Sequence, residues 1–490
     1  MIKAWNAADV YAAEDAAMAG LDEGELMARA VAGLAEIAAT RLDQRGGRGV
    51  VALVGPGNNG ADALYAAADL ARRGFNVAAV HIERVHTGAA GAADAAGVIR
   101  SSNPAEAIDL IGGADLVLDG ILGIGGRGGL PDWALPWVEA IPPDAWVIAV
   151  DTPSGQVVDG GPLAPTGVFA DETVTFSLGK PVHLLPPSEA ACGLVSVVDI
   201  GIAPLTAPAV CRLVTADVPE LWPIPSATDD KYSRGVVGMV AGSERYPGAA
   251  VLAVTAAVEA GIGMVRYLGP PTPSGLVRAA VPEAVHGPGQ VQAWVVGPGL
   301  DGTDEDPTTP GHVSTAVAVL RQRLPCVVDA GGLDLLEPAL LAARHGIPTL
   351  LTPHAGECAR LLSRLGAGEE IARESVEADP LRHARELAEL TGATVLLKGA
   401  GTLVVPPDPG AAVFSQADAP AWLATAGAGD VLAGIAGALL AGGLSAVHAG
   451  ALAALVHGLA AERANPGGPV RALGVAHAIP VVVATVLAAP

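Results

Sequence analysis

The chain has 490 residues and a formal net charge of −23, with 28 Lys and Arg against 51 Asp and Glu. At about 150 residues per domain, this length favours two large domains. The acidic balance and the lack of a basic run argue against a nucleic-acid surface. Hydrophobic residues make up 51% and aromatic residues only 3%, so Ala, Val and Leu must build the core, which favours layered α/β domains.

The sequence also argues against disulfides, zinc and membrane spans. Its four cysteines lie far apart without CxxC spacing, at Cys192, Cys211, Cys326 and Cys358. The N-terminus carries acids and lacks the apolar core of a signal peptide. The most apolar stretch, residues 431–447, is mostly Ala and Gly, so we expect two buried helices broken near Gly442 and Gly443. We therefore expect a cytoplasmic protein.

The first half of the chain has the pattern of a Rossmann-like doubly wound sheet. Apolar residues at helical spacing predict a helix over 23–42, and a branched run predicts a buried strand at 50–54. That strand leads into GPGNNGAD at 55–62, followed by a helix over 61–73 and a strand over 76–82. A strand, a Gly-rich loop, a helix and a strand predict a turn that can hold phosphate.

This loop is not the ordinary dinucleotide fingerprint. Gly55, Gly57 and Gly60 match the GxGxxG spacing, but Asn58 and Asn59 fill its middle and no suitably placed acid follows the next strand. The two asparagines are equally compatible with a plain turn.

Two later strands each end in an acid. Further strands are predicted at 116–118, 147–150, 174–176 and 195–198. Asp119 leads into GILGIGGRG and Asp151 into TPSG, and either acid alone would fit a loop cap. Because the carboxyl ends of parallel strands meet at the ligand crevice of such sheets, the two together indicate a binding site.

Residues 7–202 resemble the NAD(P)H-hydrate epimerase domain, whose pattern has a GxGNNGGDG loop, an acid before a Gly-rich turn and a DxPSG box. The resemblance implies substrate contacts at Asn58, Asn59, Gly60, Ala61, Asp62, Gly123, Ile124, Gly125, Gly126, Arg127, Gly128, Gly129 and Asp151. It also implies a potassium ion held by Asn59, Asp119 and Ser154. Asp151 and Lys180 are the candidates for proton handling, although Lys180 equally fits a solvated lysine.

The chain departs from that family at three positions. Ala61 and Ala63 replace the glycines that flank the loop aspartate, and Ile124 replaces a threonine. Since alanine does not take positive φ readily, either those two positions are helical or the loop differs.

The stretch from Thr206 to Asp229 is rich in proline and has no sustained periodicity, which is typical of a domain boundary. We therefore predict an N-terminal domain of residues 1–212 and a C-terminal domain of residues 226–490.

The second half predicts another layered α/β domain. A buried strand lies within DKYSRGVVGMVAGS at 230–243, a helix of small residues follows at 247–260, and a strand is predicted at 264–268. Later strands end in Gly, Asp or His, in AWVVGPG, CVVDAGGL and TLLTPHAGE, and helices fill the gaps. A second layered α/β sheet is therefore expected.

The stretch ATAGAGDVL, residues 424–432, joins a Gly-rich turn to an acid at the head of an apolar helix. Gly427 and Gly429 allow N–H groups to converge on phosphate oxygens. Asp430 can then take a proton from a substrate hydroxyl, although it also fits a helix cap. A predicted strand at 394–397 ends in KGAGT, which can receive a nucleotide, and the combination indicates phosphoryl transfer to a hydroxyl.

The second half carries four separated motifs: VPE at 281–283, TPHAGE, KGAGT and GAGD. They occur in the order found in the ADP-dependent NAD(P)H-hydrate dehydratase family of the ribokinase-like superfamily, which the chain resembles from about residue 230 onward. The resemblance implies a ribokinase-like α/β fold, with hydrate contacts at Ala250, Gly299, His354 and Asp430. It implies adenine-nucleotide contacts at Lys398, Gly399, Ala400, Gly401, Thr402 and Gly429. Taken alone, His354 would fit a satisfied loop histidine. Ala426 and Ala428 replace the family's usual Gly and Ser, which removes one hydroxyl.

The two resemblances imply a bifunctional nicotinamide-nucleotide repair enzyme. It epimerises the R and S hydrates of NADH or NADPH and dehydrates the S epimer at the expense of ADP, giving AMP, phosphate and NAD(P)H. K⁺ is expected at the epimerase site and Mg²⁺ with ADP at the dehydratase site. We expect a homo-oligomer with neither nucleic-acid nor membrane partners. The alternative is a ribokinase-like small-molecule kinase with a non-catalytic N-terminal binding module.

Overall fold

The computed structural model describes residues 1–126, 128–301, 311–366, 368 and 370–488. The chain divides into two compact units, one of residues 3–210 and one of residues 211–490 together with Met1 and Ile2. Within the described residues, the strands form a seven-stranded and an eleven-stranded sheet.

The N-terminal unit is a parallel sheet covered by helices. After β1 (Ile2–Ala4), its strands are β2 (Gly49–Val54), β3 (Asn76–His81), β4 (Ile99–Ser101), β5 (Leu116–Gly120), β6 (Trp146–Val150), β7 (Glu172–Phe176) and β8 (Leu194–Val198). Its helices are α1 (Ala7–Met18), α2 (Glu25–Arg45), α3 (Asn58–Arg72), α4 (Thr87–Ala96), α5 (Pro104–Ile111) and α6 (Leu135–Glu139). The strand order is β4-β3-β2-β5-β6-β7-β8, and every neighbouring pair is parallel.

This order places a topological switch between β2 and β5, where an open parallel sheet binds its ligand. The predicted doubly wound sheet is therefore confirmed, and each predicted strand of this unit lies within two residues of the observed one at either end. Helix α3 begins at Asn58, three residues earlier than predicted. Ala61 and Ala63 are consequently helical and buried, which explains why alanine is tolerated there.

The C-terminal unit has a larger mixed sheet. Its strands are β9 (Val210–Arg212), β10 (Val236–Val240), β11 (Met264–Leu268), β12 (Val285–His286), β13 (Ala293–Val296), β14 (Cys326–Val328), β15 (Thr349–Leu351), β16 (Thr394–Leu397), β17 (Thr402–Val405) and β18 (Val413–Gln416). The order is β1-β9-β18-β17-β16-β15-β14-β13-β10-β11-β12. The run from β16 to β12 is parallel, whereas β17 pairs antiparallel with both β16 and β18.

Helices pack on this sheet mainly through small residues. They are α7 (Val218–Leu221), α8 (Pro247–Glu259), α9 (Pro271–Ala280), α10 (His312–Leu320), α11 (Pro338–Arg344), α12 (Ala355–Leu365), α13 (Arg373–Ala378), α14 (Pro380–Thr391), α15 (Ala428–Ala441), α16 (Ala446–Ala464) and α17 (Ala472–Leu487). A Cβ on Gly434 of α15 would lie 2.3 Å from Ala253 O of α8, so these two helices pack too closely for a side chain there.

The apolar stretch at 431–447 forms two buried helices, as predicted, because α15 ends at Ala441 and α16 begins at Ala446. No helix among the described residues is long and apolar enough to cross a lipid bilayer. All four cysteines are buried, and none of them forms a disulfide.

Candidate active sites

The first site is a cavity of about 1000 Å³ in the N-terminal unit, beside the carboxyl ends of β2, β5 and β6. The predicted substrate residues that line it are Asn58, Asn59, Asp62, Gly123, Ile124, Gly125, Gly126 and Asp151. The other predicted contacts, Gly60, Ala61, Gly128 and Gly129, are not among the lining residues, and Arg127 lies outside the described residues. A Cβ on Gly60 would lie 2.1 Å from Gly55 O, so this glycine allows α3 to start against the loop.

Asp119 lies fully buried at the end of β5. Its carboxylate accepts hydrogen bonds from Ser154 Oγ at 2.6 Å, from Ser154 N at 2.8 Å and from Ile121 N at 3.3 Å. Burial raises the pKa of Asp119 to about 6, and these three hydrogen bonds oppose the increase.

The three predicted potassium ligands lie together. Asn59 Nδ2 donates to Leu122 O at 2.9 Å, and Ser154 Oγ lies 3.1 Å from the same oxygen and 2.6 Å from Asp119. The hydroxyl of Ser154, the carbonyl of Leu122 and the single carboxylate of Asp119 are hard oxygen donors of low total charge, which suit a monovalent cation. Asn59 points its amide nitrogen at this group, toward Leu122 O and Val150 O, so it would join a cation only with its Oδ1 turned inward. No cluster of three or more His, Cys, Asp or Glu suited to a metal occurs in the described part of the chain.

Asp151 follows β6 and has a φ of 67°, which is uncommon for a residue other than glycine. Its Oδ1 accepts hydrogen bonds from Lys180 Nζ and, at 2.9 Å, from Thr175 Oγ1. Lys180 is only 1% exposed, so the interpretation of a solvated lysine is wrong. The structure instead gives a buried ion pair at the edge of the cavity.

Sequence reasoning did not identify His183 as part of this site. Its Nε2 lies 2.9 Å from Asp151 O, and burial, together with the Lys180 charge, lowers the pKa of His183 to about 4. The imidazole is therefore neutral near pH 7, and it fixes the backbone of Asp151. No sequence motif marks this residue, since it lies in a short turn after Lys180.

The second site lies in the C-terminal unit, where β14, β15 and β16 end near the first turn of α15. Lys398 Nζ lies 2.8 Å from Asp329 Oδ1 and 3.7 Å from Glu357 Oε2. Burial lowers the pKa of Lys398, but Asp329, Glu357 and Asp430 outweigh burial and leave the pKa above its usual value. Lys398 therefore stays charged. Sequence reasoning gave no role to Asp329 or Glu357, although each lies in a motif that follows a predicted strand.

Asp430 lies in the first turn of α15. Burial, followed by the charge of Asp329, raises the pKa of Asp430 to about 7, whereas Lys398 lowers it. The helix cap is Gly427, and no side chain makes a capping hydrogen bond, so the interpretation of Asp430 as a cap is wrong. A raised pKa at a carboxyl group beside a Gly-rich turn makes Asp430 a candidate for proton transfer.

Two glycines shape this turn. Gly427 has a φ of +86°, a conformation that glycine adopts readily. A Cβ on Gly429 would lie 3.4 Å from Lys398 Nζ, so the ammonium group lies beside the first turn of α15. The N-terminus of α15 and the charged lysine beside it together form a candidate anion-binding site.

His354 is the N-cap of α12. Its Nδ1 accepts from Glu357 N at 3.2 Å, while Glu357 Oε2 accepts from His354 N at 2.8 Å, which is a capping box. Burial lowers the pKa of His354, so the ring is neutral near pH 7. The Nδ1 atom of His354 is thus hydrogen-bonded within its own loop, as expected for a structural histidine, while the side chain remains 53% exposed.

The remaining predicted contacts differ in accessibility. Gly299 lines a pocket of about 480 Å³ together with Tyr246, Glu357 and Arg360. Ala250 is fully buried in α8, so the hydrate contact predicted there has no exposed atom in this structure. In the turn between β16 and β17, Gly399 and Ala400 are exposed, and Gly401 and Thr402 are half-buried.

Two α/β units, each with buried carboxylates at a Gly-rich turn, define a bifunctional α/β enzyme. Residues 237–473 match the NAD(P)H-hydrate dehydratase family, and residues 23–182 match the family described as YjeF-related protein N-terminus. The bifunctional NAD(P)H-hydrate repair enzyme Nnr of Mycobacterium tuberculosis is 44% identical over 442 residues, which cover 87% of this chain and 86% of that protein. The chain belongs to the family of bifunctional NAD(P)H-hydrate repair enzymes.

One further relative and one solved structure cover different shares of the chain. The bifunctional NAD(P)H-hydrate repair enzyme Nnr of Mycobacterium leprae is 43% identical over 484 residues, which cover 94% of each chain. A crystal structure of the ADP/ATP-dependent NAD(P)H-hydrate dehydratase from Bacillus subtilis, co-crystallised with ATP and Mg²⁺, is 25% identical. It covers 56% of this chain and 98% of its own, with a TM-score of 0.49.

Proposed function

We propose that the C-terminal unit dehydrates the S hydrate of NADH or NADPH at the expense of ADP. The observation that carries this proposal is the half-buried Asp430 carboxyl beside the Lys398 ammonium at the start of α15. Asp430 takes the proton of the ring hydroxyl, and the resulting oxygen attacks the terminal phosphate of ADP, releasing AMP. The C–O bond then breaks with phosphate as the leaving group, and loss of a proton from the neighbouring ring carbon restores the dihydropyridine.

The anion-binding site supports the phosphoryl-transfer step. Lys398 and the N–H groups at Gly429 stabilise the charge that develops on the phosphate oxygens. ADP contacts Lys398, Gly399, Ala400, Gly401 and Thr402, and a Mg²⁺ ion bound to its phosphates would neutralise part of their charge. The hydrate contacts Asp430, His354 and Gly299, whereas the fully buried Ala250 would need a local movement of α8 to reach it.

We infer that the N-terminal unit interconverts the R and S hydrates in its cavity. Asp151 and Lys180 handle protons at the substrate, and Asn58, Asn59 and the loop from Gly123 position it. A potassium ion held by Asn59, Asp119 and Ser154 would supply a fixed positive charge beside these loops. The buried ion pair of Asp151 with Lys180 supports this inference.

One assay tests the dehydratase proposal. Hydrated NADH or NADPH is offered with ADP, with ATP or with no nucleotide, and the return of the reduced-nicotinamide absorbance is followed. We expect recovery with ADP and formation of AMP and phosphate. Recovery without nucleotide would contradict the proposal, and a phosphorylated product that accumulates with ATP would favour the small-molecule kinase.

A second assay tests the epimerase proposal. The full chain is incubated with the R hydrate in the absence of nucleotide, and the R and S hydrates are separated by chromatography. We expect conversion well above the spontaneous rate. Conversion at the spontaneous rate would favour a non-catalytic N-terminal binding module. The cytoplasmic location and the homo-oligomer stay predictions, for which fractionation and sedimentation velocity are the respective measurements.

A further inference from the structure

Five carboxyl residues line the N-terminal cavity: Asp22 and Glu23 just before α2, Glu14 of α1, Asp62 of α3 and Asp151 after β6. The last three interact electrostatically with one another. Asp151 is held by a buried lysine and a threonine. Asp62 is different, because its Oδ1 is buried and has no hydrogen-bond partner among the described residues. A buried carboxyl oxygen without a partner at a cavity wall is costly unless it serves a ligand.

We propose that Asp62 is the proton donor of epimerisation and that Glu14 is a positioning residue that keeps the proton on it. This assignment rests on the proposed epimerase function of the N-terminal unit. It goes beyond that function by separating the acid from the base and by giving a role to α1, a helix outside the Gly-rich loops.

The charge balance of the cavity supports this assignment. Burial, and then the negative charges of Asp151 and Glu14, raise the pKa of Asp62 to about 8, so its neutral acid form predominates at pH 7. Burial and Asp151 also raise the pKa of Glu14, and Lys180 lowers it. Burial raises the pKa of Tyr11, with Glu14 and Asp151 adding to the increase.

Two further titratable groups, Tyr65 and His86, line the same cavity, and their rings lie 6.0 Å apart. Neither is among the groups that act on Asp62. The groups that do act on Asp62 are the carboxyls of Asp151 and Glu14, and both favour its protonated form. Asp151 differs from Asp62 because its Oδ1 accepts a hydrogen bond from the ammonium group of Lys180. When two nearby carboxyl groups have opposite electrostatic environments, one can serve as the acid and the other as the base.

The chemistry follows from these two charge states. Asp62 gives its proton to the ring hydroxyl, the C–O bond breaks, and the electron pair leaves with the oxygen as water. The ring nitrogen lone pair forms the C=N bond of an iminium ion. Water then adds to the other face of that carbon and gives a proton to the Asp151 carboxylate. The product is the opposite epimer, and transfer of the proton from Asp151 back to Asp62 through solvent restores the starting state.

The test uses the full chain and the R hydrate without nucleotide, with the rate of S-hydrate formation measured across pH. For the wild type we expect the rate to fall as pH rises through about 8, because Asp62 then loses its proton. Asp62→Asn should lower the rate by about 100-fold or more, the range typical of a lost general acid. Glu14→Gln should move the alkaline limb to lower pH, since it removes a negative charge that favours protonated Asp62.

Glu23→Gln is the matched control, because Glu23 lines the same cavity without acting on Asp62. It should leave the alkaline limb in place, a result that a general change of cavity charge would not give. An unmoved or upward-shifted limb in Glu14→Gln, or an Asp62→Asn rate within about threefold of the wild type, would overturn the assignment. A wild-type chain that fails to epimerise would instead overturn the proposed function, so the two failures are distinguishable.

Discussion

Lys398 Nζ lies 2.8 Å from Asp329 Oδ1, and these two residues are 69 positions apart in the sequence. Both act on the carboxyl group of Asp430, but with opposite signs: Asp329 raises its pKa and Lys398 lowers it. Burial raises the pKa of Asp430 most, and the ion pair then adjusts the pH at which Asp430 becomes a base. Removing either charge should therefore shift the pH dependence of dehydration, and the two shifts should have opposite directions.

Asp329→Asn should move the acidic limb of dehydration to lower pH. Asp430 acts as a base only when deprotonated, so kcat/KM for the S hydrate with ADP is expected to rise as pH increases through about 7. Removing the Asp329 charge lowers the pKa of Asp430, and the rise should then occur earlier. A pH profile of kcat/KM measures the shift, and Asp334→Asn, which alters an acid five residues away on the 480 Å³ pocket, is the control.

Lys398→Met should have the reverse effect on the limb and also lower its plateau. Without the ammonium group the pKa of Asp430 rises, so the acidic limb moves to higher pH. The anion-binding site also loses Lys398, the one cationic side chain among the described groups that act on Asp430. We expect a loss of about 100-fold in kcat/KM at the plateau. A lower plateau with an unmoved limb would show that Lys398 does not act on the base.

Asp430→Asn should remove dehydration while keeping nucleotide binding. The amide cannot accept the hydroxyl proton, so we expect kcat to fall by about 10²- to 10⁴-fold. Calorimetric titration with ADP and Mg²⁺ should give an affinity close to that of the wild type, because the N–H groups of α15 and Lys398 remain. Unchanged dehydration would contradict the role of Asp430 as the base.

The sequence predicted the strands and the acids that follow them, because short branched runs and strand-terminal motifs are local signals. It did not predict the pairing of Lys398 with Asp329, since a contact across 69 residues depends on β14 and β16 lying on either side of β15. The buried state of Lys180 was missed for the same reason, because burial depends on the sheet around it. Glu14 carries no motif, and only the fold brings α1 to the cavity.

Gly427→Ala should destabilise the C-terminal unit more than Gly443→Ala does. Both glycines have positive φ, which costs alanine about 1–2 kcal/mol. A Cβ at Gly427 would also lie 2.4 Å from Leu252 Cδ1, whereas nothing lies within 4 Å of a Cβ at Gly443. Calorimetric unfolding of the two variants measures the difference. Only Gly427→Ala should also weaken ADP binding, because it displaces the start of α15.

Ser154→Ala should weaken the dependence of epimerisation on potassium. Ser154 Oγ lies 2.6 Å from Asp119 and 3.1 Å from Leu122 O, at the centre of the proposed ligand group. Without this hydroxyl we expect the apparent affinity for K⁺ to fall by about 10- to 100-fold, as for other losses around metal ligands. Epimerisation rates measured against KCl concentration, at constant ionic strength maintained with a tetraalkylammonium salt, give this affinity.

The matched control for that measurement is Ser196→Ala, because Ser196 Oγ also donates to a carboxylate, Glu172 Oε1, at 2.6 Å in the same sheet. It removes an equivalent hydroxyl that lies outside the proposed ligand group, so its potassium curve should match that of the wild type. If both serine variants shifted the curve equally, the effect would reflect general loosening of the sheet. If neither did, Ser154 would not be a ligand, and the oxygen cluster around Asp119 would be a purely structural hydrogen-bond network.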